Sequence, residues 1–366
     1  MFYYISFLRP PPSNASLSGK LSITPQITND LRTEFYRRPQ DIFYAWSSPD
    51  SPLRTQTRPN KLTTWRQENA YKEIVVPLPP LVREGQQWTL NLTASSKASD
   101  AIVNLQDSSV LGSVPFGVLS MPIQFGRSTA TEKQGRIERV YALHHGTMKI
   151  TEQTSFDLDK KIWDSGIGLS SWLVTKSRSG ELPDALRSTL FSEERRDIIE
   201  LGAGTGVLSL TVAALRSSVN ERDDSKSRII TTDLESAIPL LEHNIASNGH
   251  LLPDGSARPK ASVLDWYEDL PDNMQSFSDG FDAIIMADVT YNTSSFPALL
   301  RTLASLITMS AKRPLILLGY KERDEAERTI WVMANEIGIR FRKVDEIAGS
   351  GVDPVEVWIG EMECTT

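Results

Sequence analysis

The sequence predicts an α/β protein: a doubly wound, mostly parallel, seven-stranded Rossmann-like sheet with an antiparallel last strand, plus a β-rich N-terminal extension. Three observations carry this expectation. From residue 197 onward, short apolar runs alternate with segments of helical period, and a hairpin closes the chain. The first 122 residues show short β-branched and aromatic runs between turns instead, and 13 of the 21 prolines precede residue 123. A chain of 366 residues suggests about two domains. The composition shift divides them into a 1–122 extension and a 123–366 α/β domain.

In the extension, FYYISFL, DIFYAW, KEIVVPL and QWTLNLT read as strands, separated by the turn-like stretches RPPPSNAS, SSPDSP and VREGQ. The opening MFYYISFLRPPP lacks a basic leader and runs into three prolines, so a strand ending in a turn is expected there, not a signal peptide. Residues 95–112 are polar and are expected to form a surface loop. RIERVYALHH and TMKITEQTSF flank Gly146 as a hairpin, and WDSGIGLSSWLVTKS has helical period with Leu169, Trp172 and Leu173 on one side. Strand candidates follow at 197–201, 228–232, 260–264, 281–286 and 314–319, with helices at 205–216, 235–248, 295–310 and 324–337. Gly249 and Gly338, just past two of these helices, suit left-handed caps. RFRKVDEIA and VEVWIGEM flank Gly349-Ser350-Gly351 as the closing hairpin, which sets the last strand antiparallel.

Composition excludes several classes. Hydrophobic residues make up 40% of the chain, ordinary for a globular protein. A single cysteine, Cys364, can form neither an internal disulfide nor a multi-cysteine metal site, so a reducing, cytoplasmic home is expected. No run approaches the roughly 18 apolar residues of a membrane helix, and no membrane partner is expected. The net charge of −7 argues against a nucleic-acid partner. Its distribution is uneven: residues 1–150 carry +6 and the rest −13. That split fits either two parts docked on each other or a basic surface for a macromolecular partner. The adjacent His144 and His145 lack metal-ligand spacing, His243 and His250 sit at a helix and its exit, and no metal site is expected.

The densest local signal is DIIELGAGTGVLSL. A buried strand ends at Leu201, glycines follow at 202, 204 and 206, and a helix begins. Such a loop lets a ligand approach backbone N–H groups at a helix start, although it can also be a tight turn and nothing more. Val207 stands where the dinucleotide fingerprint needs a small residue, and no Lys-Ser/Thr pair follows as in a P-loop. The Glu200 carboxylate would repel a pyrophosphate. S-adenosylmethionine, cationic and without phosphate, suits the site better. At the end of the second strand Asp233 can accept ribose hydroxyls. At the end of the third, Asp265 can accept from the adenine amino group while Trp266 covers the ring face. Polar groups at three successive strand ends make coincidence a poor explanation.

The segments IWDSGIGLSSWL (162–173), IIELGAGTG (198–206), VLDW (263–266) and ADVTY (287–291) resemble the class I, seven-strand S-adenosylmethionine-dependent methyltransferases. Within that group they are similar to the protein-lysine methyltransferase family often described as nicotinamide N-methyltransferase-like. LGYKERDEAE (318–327) adds a weaker likeness, and the resemblance spans about residue 140 to the end. It implies that Trp163 and Asp164 line the methionine end of the cofactor, with Glu200, Gly202 and Gly204 near its amino-acid and ribose parts. Asp233 would hold the ribose, Asp265 and Trp266 the adenine, and Ala287 would belong to the same cofactor set. Asp288 and Tyr291 would form the Asp-x-x-Tyr motif facing the acceptor amine. The resemblance further implies a protein-lysine N-methyltransferase acting as a monomer on a protein substrate. A small-molecule N-methyltransferase with a nicotinamide-like acceptor is the alternative. The opening YYISFLRPPP and the β-rich stretch after it look similar to the extension of fungal members that act on translation elongation factor 2.

Methyl transfer needs a neutral amine, and a free lysine has a pKa near 10.4. Burial beside a sulfonium would lower it, whereas the carboxylate of Asp288 alone would favour the ammonium. Asp288 is therefore assigned to capturing and aiming the lysine and not to strong-base chemistry, with Tyr291 walling the slot. Val289 and Thr290 replace both prolines of the Asn/Asp-Pro-Pro-Tyr/Phe pattern found in base-amino methyltransferases.

Overall fold

Alternating apolar runs give the C-terminal half its sheet. In the computed structural model, which describes residues 1–49, 57–127, 132–155, 157–219, 224, 226–275 and 277–362, seven strands run in the order 259–263, 228–233, 197–201, 283–287, 315–320, 355–362, 339–347. The first five are mutually parallel, and Val355–Met362 lies antiparallel to both of its neighbours. Asp197–Leu201 is buried at every residue, as expected for a central parallel strand covered on both faces. The five parallel strands lie within two residues of their predicted positions.

The helices between them are Val207–Val219, Ile238–Ser247, Phe296–Met309 and Thr329–Glu336, the last entered through a 3-10 turn at Glu325–Arg328. Gly338 has φ 79°, the left-handed cap its position suggested. Gly249 differs. It opens a 3-10 turn, Gly249–Leu251, because the Asn248 side chain ties the helix exit to the backbone N–H and C=O of Lys149 at 2.8 and 2.7 Å.

The extension builds two further sheets. Tyr4–Arg9, Leu21–Thr28 and Ile74–Val76 form a three-stranded antiparallel sheet. A nine-stranded sheet runs from the hairpin Arg136–Leu143/Gly146–Gln153 through Val118–Ser120, Gln87–Thr93 and Ile123–Gly126 to Asn14–Ser16. Residue 122 thus falls inside a sheet: Ile123–Gly126 pairs with Gln87–Thr93, and Arg136–Leu143 pairs with Val118–Ser120. The proline count marks where turns become rare, which is a different thing from where strand pairing stops. Residues 95–112 also depart from a surface loop. Ile102–Asn104 pairs with Arg136–Leu143, and Val103, Leu105 and Leu111 are buried, so a few apolar side chains among polar neighbours anchor the segment. Cys364 and residues 50–52 of the turn SSPDSP lie outside the described residues.

The helix Asp164–Ser179 joins the two halves. Its residues from Asp164 to Val174 are all buried, not only the predicted face, because the extension covers the side turned away from the sheet. Ser171 Oγ donates to the Leu105 carbonyl at 3.0 Å, and Thr175 Oγ accepts from the Ser108 N–H at 3.2 Å. One apolar core runs through the joint, from Phe2, Tyr4 and Leu105 of the extension to Leu169, Leu173, Ile198 and Val357. Each such side chain contributes about 1.5–3 kcal/mol on burial. No helix among the described residues is long and apolar enough to cross a membrane, and none of their His, Cys, Asp and Glu side chains gather in threes as a metal site.

The motif glycines of this helix are packing residues. A Cβ on Gly168 would lie 2.9 Å from three side-chain carbons of Val355, a β-branched residue held in the sheet. Gly168→Val should therefore destabilise the protein by about 1–3 kcal/mol through overpacking. Urea unfolding measures this; an unchanged midpoint would show that the helix can lift off the sheet without cost.

Candidate active site

The turn after Leu201 places three glycines in the left-handed region: Gly202 at φ 64°, Gly204 at 54° and Gly206 at 80°. At Gly202 a Cβ would sit 2.9 Å from Val289 Cγ1 and 3.3 Å from Trp266 Cζ2, so a side chain there would collide with the cleft wall. Backbone bonds fix the loop: Ala203 N–H donates to the Thr232 carbonyl at 2.9 Å, and Gly204 N–H to Asp233 Oδ2 at 2.7 Å. Burial lifts Asp233 to about 6, even though the Gly204 and Leu234 amides favour its ionised form. Glu200 lies beneath the loop. Its carboxylate accepts from the Ser209 N–H and hydroxyl and, at 2.9 Å, from Thr231 Oγ1, yet burial still raises it to about 7.

One cleft gathers every residue predicted for the site except Asp164. Glu200, Gly202, Gly204 and Asp233 form its floor, Asp265 and Trp266 one end, and Trp163, Ala287, Asp288 and Tyr291 the other side. Trp163 and Tyr291 stack with ring centroids 5.2 Å apart and planes at 20°, making a wall of two aromatic rings. Val207 also lines the cleft, and its Cγ1 stands 3.1 Å from where a Cβ on Gly166 would be. Lys161 lines it too, with Nζ 4.7 Å from the Trp163 ring centre, and burial lowers its amine to about 8. Nothing in the sequence pattern singles out Lys161.

Asp288 occupies φ 57°, an uncommon backbone state for a residue with a side chain, and is 4% exposed. One carboxylate oxygen accepts from the Ser165 N–H, and the other pairs with an Arg323 nitrogen at 2.6 Å. The same nitrogen lies 2.7 Å from Asp30 Oδ2, and the guanidinium carbon stands 5.0 Å from the Trp163 ring centre. Lys321 Nζ donates to Asp30 at 3.1 Å and to Asp164 at 2.8 Å. Asp164, expected at the methionine end, is not in the cleft lining. Its carboxylate accepts from the Phe2 N–H and Tyr4 hydroxyl behind the cleft and so binds the first strand of the extension. The motif LGYKERDEAE contains both Lys321 and Arg323, a signal that pointed to the right segment without saying what it holds.

A family model described as lysine methyltransferase matches residues 143–336, just over half of the chain. The chain belongs to the lysine methyltransferase family. Among related proteins, it is 30% identical over 173 residues to protein-lysine N-methyltransferase EFM6 of Saccharomyces cerevisiae, covering 46% of this chain and 65% of that protein. It is 36% identical over 132 residues to protein N-lysine methyltransferase METTL21A of Danio rerio, covering 35% and 52% respectively. A UPF0665 family protein of Schizosaccharomyces pombe is 26% identical over 187 residues, covering 51% and 49%. The chain therefore spans about half to two thirds of the length of these relatives. The family match begins in the hairpin of the extension's sheet and takes in the whole cleft floor. Asp30 lies outside it.

For this lysine methyltransferase chain the residues present fit S-adenosylmethionine. The glycine floor carries no side chains, acceptors stand at two strand ends, and the buried Glu200 and Asp233 make the floor hostile to a pyrophosphate.

The raised Glu200 has a consequence for stability. A carboxyl whose folded pKa exceeds its unfolded value stabilises the fold fully below the unfolded pKa of about 4.3, and that contribution fades as pH rises through about 7. Between pH 4.5 and 7.5 the wild type should lose on the order of 3 kcal/mol relative to Glu200→Gln. Paired urea titrations across that range check the sign, and a wild type that gains stability relative to the variant as pH rises would refute it.

Proposed function

We propose that the protein is an S-adenosylmethionine-dependent protein-lysine N-methyltransferase acting as a cytoplasmic monomer on a folded protein substrate, with translation elongation factor 2 the first candidate. The observation that carries this reading is the convergence of all the cofactor positions and the Asp288–Tyr291 pair on one cleft. The cofactor supplies a sulfonium methyl for in-line transfer to an amine. Asp233 accepts the ribose hydroxyls, Asp265 and Trp266 receive the adenine, and Glu200, Gly202, Gly204, Trp163 and Ala287 line the rest of the cofactor's path.

On the acceptor side, Tyr291 is 43% exposed at the rim and stacks on Trp163, so the two rings bound the slot through which a lysine side chain enters. Asp288 aims the amine. Its pairing with Arg323 also answers a chemical objection, because an isolated carboxylate would hold the amine in its charged, unreactive form. Pairing that charge with a guanidinium favours the ammonium less, and Oδ1, which accepts no hydrogen bond from the protein, keeps a lone pair to align the amine. Positioning of this kind can supply several kcal/mol of barrier reduction.

The extension supplies a second docking surface, which a large acceptor uses and a small molecule does not need. Arg37 and Arg38 are exposed on it, beyond the loop that delivers Asp30 to Arg323.

Labelled methyl transfer into extracts lacking the protein, followed by mapping of the labelled residue, tests the whole reading. Asp288→Ala should lower turnover ~100-fold or more with S-adenosylhomocysteine affinity little changed. Rapid methylation of nicotinamide with no labelled protein would overturn the reading. The cofactor part has its own check. Since Asp233 titrates near 6 and must be ionised to accept two hydroxyls, S-adenosylhomocysteine binding should weaken as pH falls from 7.5 to 5.5. Calorimetry should show that slope reduced in Asp233→Asn, which binds weakly throughout. Reversing Arg37 and Arg38 to glutamate should raise KM for the protein acceptor, less so at high salt, and leave cofactor binding intact.

A further inference from the structure

We propose that Asp30, contributed by the N-terminal extension, is a positioning residue for Asp288, which makes the extension a working part of the catalytic centre. This inference rests on the role assigned to Asp288 above.

Asp30 and Asp288 are held in matching ways. Both carboxylates lie against the same terminal nitrogen of Arg323, Asp30 as hydrogen-bond acceptor at 2.7 Å and Asp288 Oδ1 as an ion pair at 2.6 Å. They also take consecutive amides at the start of the helix Asp164–Ser179: Asp30 Oδ2 accepts from Asp164 N–H at 3.2 Å, and Asp288 Oδ2 accepts from Ser165 N–H. Asp30 thus holds Arg323, one of the two groups that grip Asp288, and the amide next to the other. A guanidinium with one carboxylate can swivel into a two-pronged pair with it. A second carboxylate on the shared nitrogen prevents that turn and leaves Asp288 in its strained backbone state with its oxygens set.

The delivery of Asp30 is itself constrained. It follows the strand Leu21–Thr28 in a loop where Asn29 Oδ1 accepts from the Thr33 and Glu34 amides, and Asn29 N–H donates to the Glu34 carbonyl. Asp30 Oδ1 accepts from Leu31 N–H at 2.9 Å and from Lys321 Nζ at 3.1 Å. The side chain is fully buried, and although burial alone would raise its pKa, Arg323 and Lys321 hold it far below the usual carboxylate range, so it stays ionised. A buried anion at the end of a pinned loop is a rigid stop for Arg323.

The test compares full-length Asp30→Asn with wild type on the labelled protein acceptor. Turnover should fall ~10- to 100-fold, the scale of a small misplacement of a reacting group. The acceptor KM and the S-adenosylhomocysteine Kd should each stay within about three-fold, since Asp30 is not in the cleft lining. In an Asp288→Asn background the same change should cost less than about two-fold, because a residue acting through Asp288 has nothing left to position. Equal losses in both backgrounds would assign Asp30 a general structural role and overturn the proposal. So would wild-type turnover in Asp30→Asn. If Asp30→Asn does not fold, Asp30→Glu keeps the charge but pushes Arg323 by one methylene. It should show the same selective loss of kcat, and full turnover in that variant is equally fatal. A wild-type protein that methylates no protein acceptor would instead refute the function proposed above and is distinguishable at the first step.

Discussion

Three buried carboxylates and two buried cations, with Asp30, Asp164 and Asp288 around Lys321 and Arg323, form the constraint on which the rest of the molecule depends. Charges removed from water are stabilised only by close partners, and deleting one partner of a buried pair typically costs about 3–5 kcal/mol. Such a cluster therefore adds less to stability than its contacts suggest, but it tolerates few arrangements. It fixes where the extension's first sheet meets the α/β sheet, because Phe2 N–H and the Tyr4 hydroxyl close the remaining sites on Asp164. The apolar core of Phe2, Tyr4, Leu169 and Val357 then fills around a joint already set by charge.

Asp30 on one side, and Glu200 and Asp233 on the other, differ in whether a cation is near. Asp30 has two cations in contact and stays ionised. Among the described residues, Glu200 and Asp233, on the cleft floor, have hydrogen-bond donors but no cation in contact, and burial raises both. A floor of uncompensated acids favours a ligand that brings positive charge, while the compensated acids behind it hold the machinery still. The same residue type thus does opposite work across a few ångströms, according to its neighbours.

The α/β half was legible because its signals are local. A strand such as DIIEL has an apolar Ile-Ile centre, the following glycines must turn, and the strand ends carry the polar groups. Those signals placed the parallel strands and led to every predicted residue of the cleft but Asp164. What escaped was pairing across long separations. The proline count could not reveal that Arg136–Leu143 pairs with strands of the extension, nor could the polar segment near residue 103 announce its buried Val103 and Leu105. Asp164 read as a cleft residue because it neighbours Trp163, and only the fold shows its carboxylate turned to the other side. Asp30 sits in an ordinary Asn-Asp turn. Nothing local says that a cation 293 residues away will meet it.

That separation sets an order of events during synthesis. Asp30 and the apolar strand Tyr4–Arg9 leave the ribosome long before Arg323 exists, and at ~5–20 residues per second the wait is roughly 15–60 s. The covering helix Asp164–Ser179 is made about halfway through that interval, so for its second half Asp30 and Asp164 stand together without the cations that will pair them. The buried ion cluster can close only late, when Lys321 and Arg323 reach carboxylates made near the start of the chain.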